Sequence, residues 1–216
     1  NGDADYTFYK EEPLASTDYS MPEFTDRDYF LFGSYYSICP GLRPQVKDIL
    51  HAAHRAGTVI YYDINFRRSH IHQKQELLPV IQENCRLSSI VRGSADDFDI
   101  LFGTRDPEEI YRKHISPFCP IFICTAGAGH IFICTPKGTY DFIVPQIPAN
   151  EIVSTVGAGD SFNAGFLCAM HRQAICKADL ADMSHNQWKL LVEHGIKYSS
   201  QVCRSQDNYI KPLSDK

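Results

Sequence analysis

S-T-V-G-A-G-D-S-F-N-A-G-F, Ser154 to Phe166, is the stretch on which the reading of this chain turns. Gly157-Ala158-Gly159 can turn tightly enough to aim successive backbone N–H groups at one point. The helix expected from about Ser161 to His171 adds the positive end of its dipole. Together they make an anion hole. Asp160 enters the first helical turn, with its carboxylate beside the hole rather than in it. A carboxylate next to bound phosphate is repulsive unless it has work, and the work available is accepting the proton of a hydroxyl that attacks phosphorus. Seen alone, a Gly-x-Gly-Asp is more often an Asp that only stabilises a helix start. Two other phosphate motifs fail on inspection: the P-loop pattern is absent, and the dinucleotide fingerprint meets Phe162 where its third glycine belongs. Hydride transfer is thereby disfavoured.

Upstream of this stretch, strands alternate with helices. Strands are expected at Tyr29 to Gly33, Thr58 to Tyr62, Ser89 to Val91, Ile121 to Cys124, Ile131 to Thr135 and Thr139 to Val144. An earlier strand is expected at Tyr6 to Lys10. Helices are expected over Leu42 to Ala53, closed by a left-handed cap at Gly57, over Gln73 to Asn84, over Ala95 to Phe102 before Gly103, and over Pro107 to Ile115. A last helix is expected from about His185 to Arg204. The pattern predicts an α/β fold, a doubly wound and mostly parallel sheet with a hairpin addition, formed as one domain over residues 1–216. Ligands of such sheets lie outside the carboxyl ends of the strands, where three polar loops fall: Asp63 to Arg67, Gly93 to Asp97 and Thr125 to Gly129.

Composition narrows the function. The chain has 216 residues, 21 Lys+Arg against 26 Asp+Glu and 44% apolar residues, which suits one globular unit and excludes disorder as the main state. A formal charge of −5 argues against a broad nucleic-acid or anionic-membrane surface, so no nucleic-acid or membrane partner is expected. No segment approaches the ~18–20 apolar residues of a membrane span. The eight cysteines are scattered without a C-x-x-C pair and are read as reduced, mostly buried core residues, hence a cytoplasmic location. His70 with His72, and His51 with His54, lack a convincing third ligand for a metal.

The motif Thr155 to Asp160, continued by Phe162, Asn163, Ala164, Gly165 and Phe166, resembles the C-terminal signature of the PfkB or ribokinase-like carbohydrate kinases. D-I-N-F-R, Asp63 to Arg67, is similar to a loop of their fructokinase and 2-keto-3-deoxygluconate kinase branch. C-T-A-G-A-G-H, Cys124 to His130, is similar to their nucleotide loop. The resemblance implies an ATP-dependent sugar kinase that uses Mg²⁺ to transfer the γ-phosphoryl group to a hydroxyl of a small sugar. It implies that Asp160 is the catalytic base and that the N–H groups of Gly157, Ala158 and Gly159 stabilise the moving phosphoryl group. Asn65 and Arg67 would approach the sugar or its phosphate, and Thr125, Gly127 and Gly129 would contact ATP. Read without the resemblance, Arg67 is a solvated charge beside Arg68, and Thr125 to Gly129 is an ordinary hairpin turn.

Departures from the family are specific. Ser154 replaces an Asp that in relatives helps bind a monovalent cation, which leaves potassium activation open. The family's N-x-x-E, which organises magnesium, aligns with Ser94 to Asp97. Asp97 would then reach the metal through water, and its bland alternative is part of a helix N-terminus. His130 replaces a loop glycine, and Gly195 an Asn near the adenine. The resemblance also leads us to expect an N-terminally truncated chain. The first sheet strands, a glycine-rich sugar motif and most of a β-lid would be absent, with residues 1–25 a remnant of the lid strand and its connection. Such a chain would orient its sugar poorly alone, and the full-length form could be a homodimer. Two alternatives stay open: a non-catalytic nucleotide-binding or regulatory relative, and a nucleoside kinase of the same superfamily, which D-I-N-F-R disfavours.

Overall fold

The computed structural model describes residues 19–210, so the strand expected at Tyr6 to Lys10 lies outside the described residues. Those residues divide into two compact units, one of 19–143 with 176–182 and one of 144–175 with 183–210.

The first unit is built on a six-stranded sheet whose order follows the chain, without a reversal among the described residues. Its strands are β1 (Tyr29–Gly33), β2 (Val59–Asp63), β3 (Ile90–Ser94), β4 (Phe122–Ala126), β5 (His130–Thr135) and β6 (Gly138–Ile143). β1 to β4 are parallel, and β4, β5 and β6 pair antiparallel, which gives the mostly parallel sheet and the hairpin addition. Parallel neighbours need crossovers, supplied by α1 (Arg43–Arg55), α2 (Lys74–Leu87), α3 (Ala95–Phe102) and α4 (Pro107–Ile110). α4 continues through a π-helical turn, Tyr111–Ile115, where one continuous helix was expected. Gly57 (φ +78°) and Gly103 (φ +71°) close α1 and α3 in the left-handed conformation.

β2 reads V-I-Y-Y-D and is buried at every position, as a parallel strand covered on both faces must be. Two apolar clusters hold this unit. The larger joins Tyr62, Leu77, Ile81, Phe98, Leu101, Ile110 and Phe122; the smaller joins Leu50, Ala53 and Ile60. All eight cysteines are free thiols, and Cys85, Cys119, Cys124 and Cys134 belong to the larger cluster.

One boundary moves in an informative way. β3 was expected to stop at Val91, yet it runs on through Arg92, Gly93 and Ser94 and passes directly into α3. There is no loop over Gly93 to Asp97, because the charge of Arg92 finds a partner inside the sheet. A side chain at Gly93 would force the buried Phe98 ring to shift, since a Cβ there would lie 2.6 Å from it.

The second unit pairs α5 (Ala158–Arg172) with α6 (His185–Cys203). Their contact is closest at two glycines. A Cβ on Gly165 would lie 2.7 Å from the His194 carbonyl oxygen, and one on Gly195 would lie 2.5 Å from the Phe162 ring. Phe162 and Gly195 are thus complementary: the aromatic ring of one helix occupies the space the other leaves.

Candidate functional site

In the second unit, α5 starts three residues earlier than the sequence pattern indicates, at Ala158, with Gly157 as its N-cap. Gly157 has φ +80°, and a Cβ there would stand 2.7 Å from the Asn208 carbonyl oxygen. Both facts demand glycine. The turn before it is fixed locally: Ala158 N–H donates to the Thr155 carbonyl at 3.2 Å, and Val156 N–H to Ser154 Oγ at 3.2 Å. The expected hole therefore keeps its helix start, but the Ala158 N–H already has an acceptor. Gly159 and Asp160 sit in the first turn, where backbone N–H groups have no acceptor within the helix. Asp160 is exposed, whereas Ser161, Phe162 and Asn163 behind it are buried. The helix start thus presents donors and one carboxylate together, on a base anchored by buried neighbours.

In the first unit, the other expected residues stand at the carboxyl ends of the parallel strands. Asp63 ends β2, and Asn65 follows it with a positive φ of 39°, a conformation Asn tolerates better than most residues. Phe66 is buried and Arg67 half-buried, so Arg67 is not simply a solvated partner of the exposed Arg68. Thr125 lies within β4, paired with Ser94 of β3. Gly127, Ala128 and Gly129 form the β4–β5 turn, closed by Gly129 N–H to the Ala126 carbonyl at 3.3 Å. Gly127 is left-handed at φ +60°. His130, in place of a loop glycine, is already in β5 and pairs through Nδ1 with Asp141 Oδ1 at 2.8 Å.

Asp97 is buried and belongs to a capping box. Its Oδ2 accepts from Ser94 N–H and Ser94 Oγ–H, both at 2.7 Å, while Ser94 Oγ accepts from Asp97 N–H at 3.2 Å. Burial pushes the Asp97 carboxyl above its ordinary value, against the lowering effects of those hydrogen bonds and of Arg92. No group of three acidic, histidine or cysteine side chains that could hold a metal occurs among the described residues. Magnesium commonly takes one or two carboxylates beside substrate phosphates and keeps several waters. Asp97 fits that role only through its second oxygen.

One feature escaped the sequence reading. Arg92 Nη1 donates to Asp63 Oδ1 at 3.1 Å and Oδ2 at 3.0 Å, and Nη2 donates to Thr125 Oγ1 at 2.9 Å. Arg92 and Asp63 are 7% and 6% exposed, so the pair is inside the protein. Burial works against the charged guanidinium, yet Asp63 and other neighbours outweigh it and raise the Arg92 pKa. The only available sequence signal was an arginine among apolar strand residues.

Comparison with known proteins settles the family. The sequence matches the pfkB family carbohydrate kinases over residues 2–206. The chain belongs to that family. This PfkB-family chain is 29% identical to aminoimidazole riboside kinase of Salmonella typhimurium, over 80% of the chain and 54% of that protein. It is 26% identical to 2-dehydro-3-deoxygluconokinase of Escherichia coli K12, over 67% of the chain and 48% of that protein. With a fructokinase of Rhizobium leguminosarum the identity is 27%, over 79% of the chain and 52% of that protein. The chain thus spans about half the length of these curated relatives. Among solved structures, aminoimidazole riboside kinase from Salmonella enterica superposes with a TM-score of 0.73 at 23% identity, over 87% of this chain and 60% of that one. A double mutant of Vibrio cholerae fructokinase, solved with fructose, ADP and potassium, gives 0.70 at 21%, over 87% and 58%. These likenesses establish the fold as that of PfkB kinases. No helix of the described residues is long and apolar enough to cross a membrane.

Proposed function

We propose that this PfkB-family chain carries the phosphoryl-transfer machinery of an ATP-dependent kinase acting on a small sugar or sugar acid. The observation that carries this reading is the α5 start: an exposed Asp160 in the first turn, directly after a glycine N-cap that no other residue could replace. A module that only binds nucleotide has no need of a carboxylate beside phosphate. Asp160 accepts the proton of the sugar hydroxyl as that oxygen bonds to the γ-phosphorus and the bond to the leaving ADP oxygen breaks. The helix N-terminus, through Gly157, Gly159 and the rest of its first turn, stabilises charge on the moving group. The half-buried Arg67, with Asn65 beside it, holds the acceptor, and the turn of Thr125, Gly127 and Gly129 holds ATP. Asp97 would hold Mg²⁺ through water, and the ion would supply charge neutralisation.

The expected consequence is that Asp160→Asn keeps ATP binding and lowers sugar-dependent ADP release by ~10²–10⁴-fold. The assay uses hexoses, pentoses and keto-deoxy acids as acceptors. Near-normal turnover by the variant sinks the mechanism. A second reading has support in the similarity to aminoimidazole riboside kinase: the acceptor hydroxyl belongs to a riboside. Including a riboside in the panel separates the two.

A further inference from the structure

The carboxyl ends of β2, β3 and β4 share a hydrogen-bonded array in which Asp63 and Arg92 have no part in the proposed roles. Arg92 reaches from β3 to a neighbour on each side, to Asp63 on β2 and to Thr125 on β4. Its backbone is fixed as well, since the Arg92 carbonyl accepts from Ile64 N–H at 2.9 Å. A guanidinium so placed is no mobile anion binder. It is buried, its charge is cancelled by a carboxylate it contacts through both oxygens, and its two ends are tied to different strands.

The consequence falls on Thr125. Guanidinium N–H groups only donate, so the 2.9 Å contact with Arg92 Nη2 uses Thr125 Oγ1 as an acceptor. The hydroxyl proton must then point to another acceptor. Thr125 is the penultimate residue of β4, immediately before Ala126 and the Gly127-Ala128-Gly129 turn. A hydroxyl whose proton is turned away from Arg92 is favoured as a donor at that place, which suits a ligand rich in acceptor oxygens and lacking donors, such as an ionised polyphosphate. A threonine without this neighbour could rotate to donate or accept, and part of its value to an anion would be lost in fixing it.

We infer that Arg92 is a positioning residue that locks the Thr125 hydroxyl as a hydrogen-bond donor toward the phosphates of a bound nucleotide, with Asp63 anchoring the guanidinium. The inference rests on the reading of the Thr125 to Gly129 turn as the ATP loop and adds to it the device that polarises the loop. It also gives the first residue of D-I-N-F-R a role distinct from the acceptor contacts proposed for Asn65 and Arg67.

Calorimetric titration with ATP on the whole chain tests this. Removing Arg92 alone would strand Asp63 in the interior, so the background variant carries Asp63→Asn with Arg92→Met, and its melting curve checks that it folds. In the wild type, Thr125→Val weakens ATP binding by about tenfold while Thr125→Ser, which keeps the hydroxyl, stays within about twofold. In the background variant ATP is already weakened by about tenfold, and adding Thr125→Val costs less than about twofold more, because the hydroxyl has lost its enforced direction. Effects that multiply overturn the inference, since a merely structural role of the pair would leave the contribution of Thr125 intact. A wild-type chain that binds no nucleotide overturns the ATP-loop reading itself, and the inference with it. The two failures are therefore distinguishable.

Discussion

Asp63 and Asp160 are carboxylates in different units, and their surroundings are opposite. Asp63 is buried at the end of a strand and contacted through both oxygens by a guanidinium, whereas Asp160 is exposed on the first turn of a helix. A buried charge must be matched within the protein, and the match fixes geometry. An exposed one is left available for chemistry. The carboxylate of the sheet unit is thus held in a fixed geometry, and that of the helical unit faces solvent.

The comparison can be broken most directly by deleting each carboxylate in turn. Asp63→Ala leaves Arg92 buried without its counter-ion and is expected to cost about 3–5 kcal/mol of stability. Asp160→Ala removes a first-turn carboxylate that favours the helix dipole, so the expected cost is only about 0.3–1 kcal/mol. Denaturant unfolding of the two variants measures both. Equal losses would mean that Asp160 is as structural as Asp63, and the division between the units would fail.

The helical unit has its own intolerance, but it is steric. Gly165 and Gly195 mark where α5 and α6 approach, and the contact at Gly165 is with backbone, which cannot rotate away. Gly165→Ala is therefore expected to destabilise by about 1–3 kcal/mol. Gly195→Ala meets a Phe162 ring, which can tilt, and should cost less. The same unfolding curves rank them, and a larger loss at Gly195 would show the Phe162 ring to be the more rigid neighbour.

These two regions were not equally legible in the sequence. In the helical unit both helices were expected, because a glycine turn, a helix start and an acidic first turn are local features that Gly157-Ala158-Gly159-Asp160 states in order, although α5 begins at Ala158 and not at Ser161. The strands were also legible wherever apolar runs were bounded by polar residues, as at Tyr29–Gly33. β3 was cut short because Arg92-Gly93-Ser94 looks like a loop when its neighbours are unknown. What makes it a strand is Asp63, 29 residues away, and no local pattern carries that pairing. For the same reason Arg92 was overlooked, whereas the helix N-terminus held open as the alternative for Asp97 is present as a capping box with Ser94. Gly195 looked like a lost adenine contact; across the helix pair it is the space that Phe162 needs.

Asp97 sharpens the comparison at its smallest scale, because it is a buried carboxylate without a direct counter-ion, held by hydrogen bonds from Ser94 instead. Burial raises its folded pKa above the ordinary carboxylate value of 3.8. The folded state then holds the proton more tightly than the unfolded state, which is the reverse of a salt-bridged acid. Stability linked to this group is therefore greatest when it is protonated, declines as pH rises from 3.8 through the folded pKa, and levels off above it. Asp97→Asn keeps a side-chain oxygen for Ser94 but carries no charge, so it should lose ground against the wild type in acid and gain on it as pH rises through that window. Ser94→Ala removes the cap itself and a hydrogen bond that favours the ionised Asp97, so it is expected to cost about 0.5–2 kcal/mol and to lose further ground as pH rises and Asp97 ionises. Unfolding free energies of the three proteins, followed from acid to neutral pH, separate the two effects. An Asp97→Asn difference that does not change with pH would show that the carboxylate is as well compensated as Asp63, and that its capping bonds, like the Arg92 pair, fully offset burial.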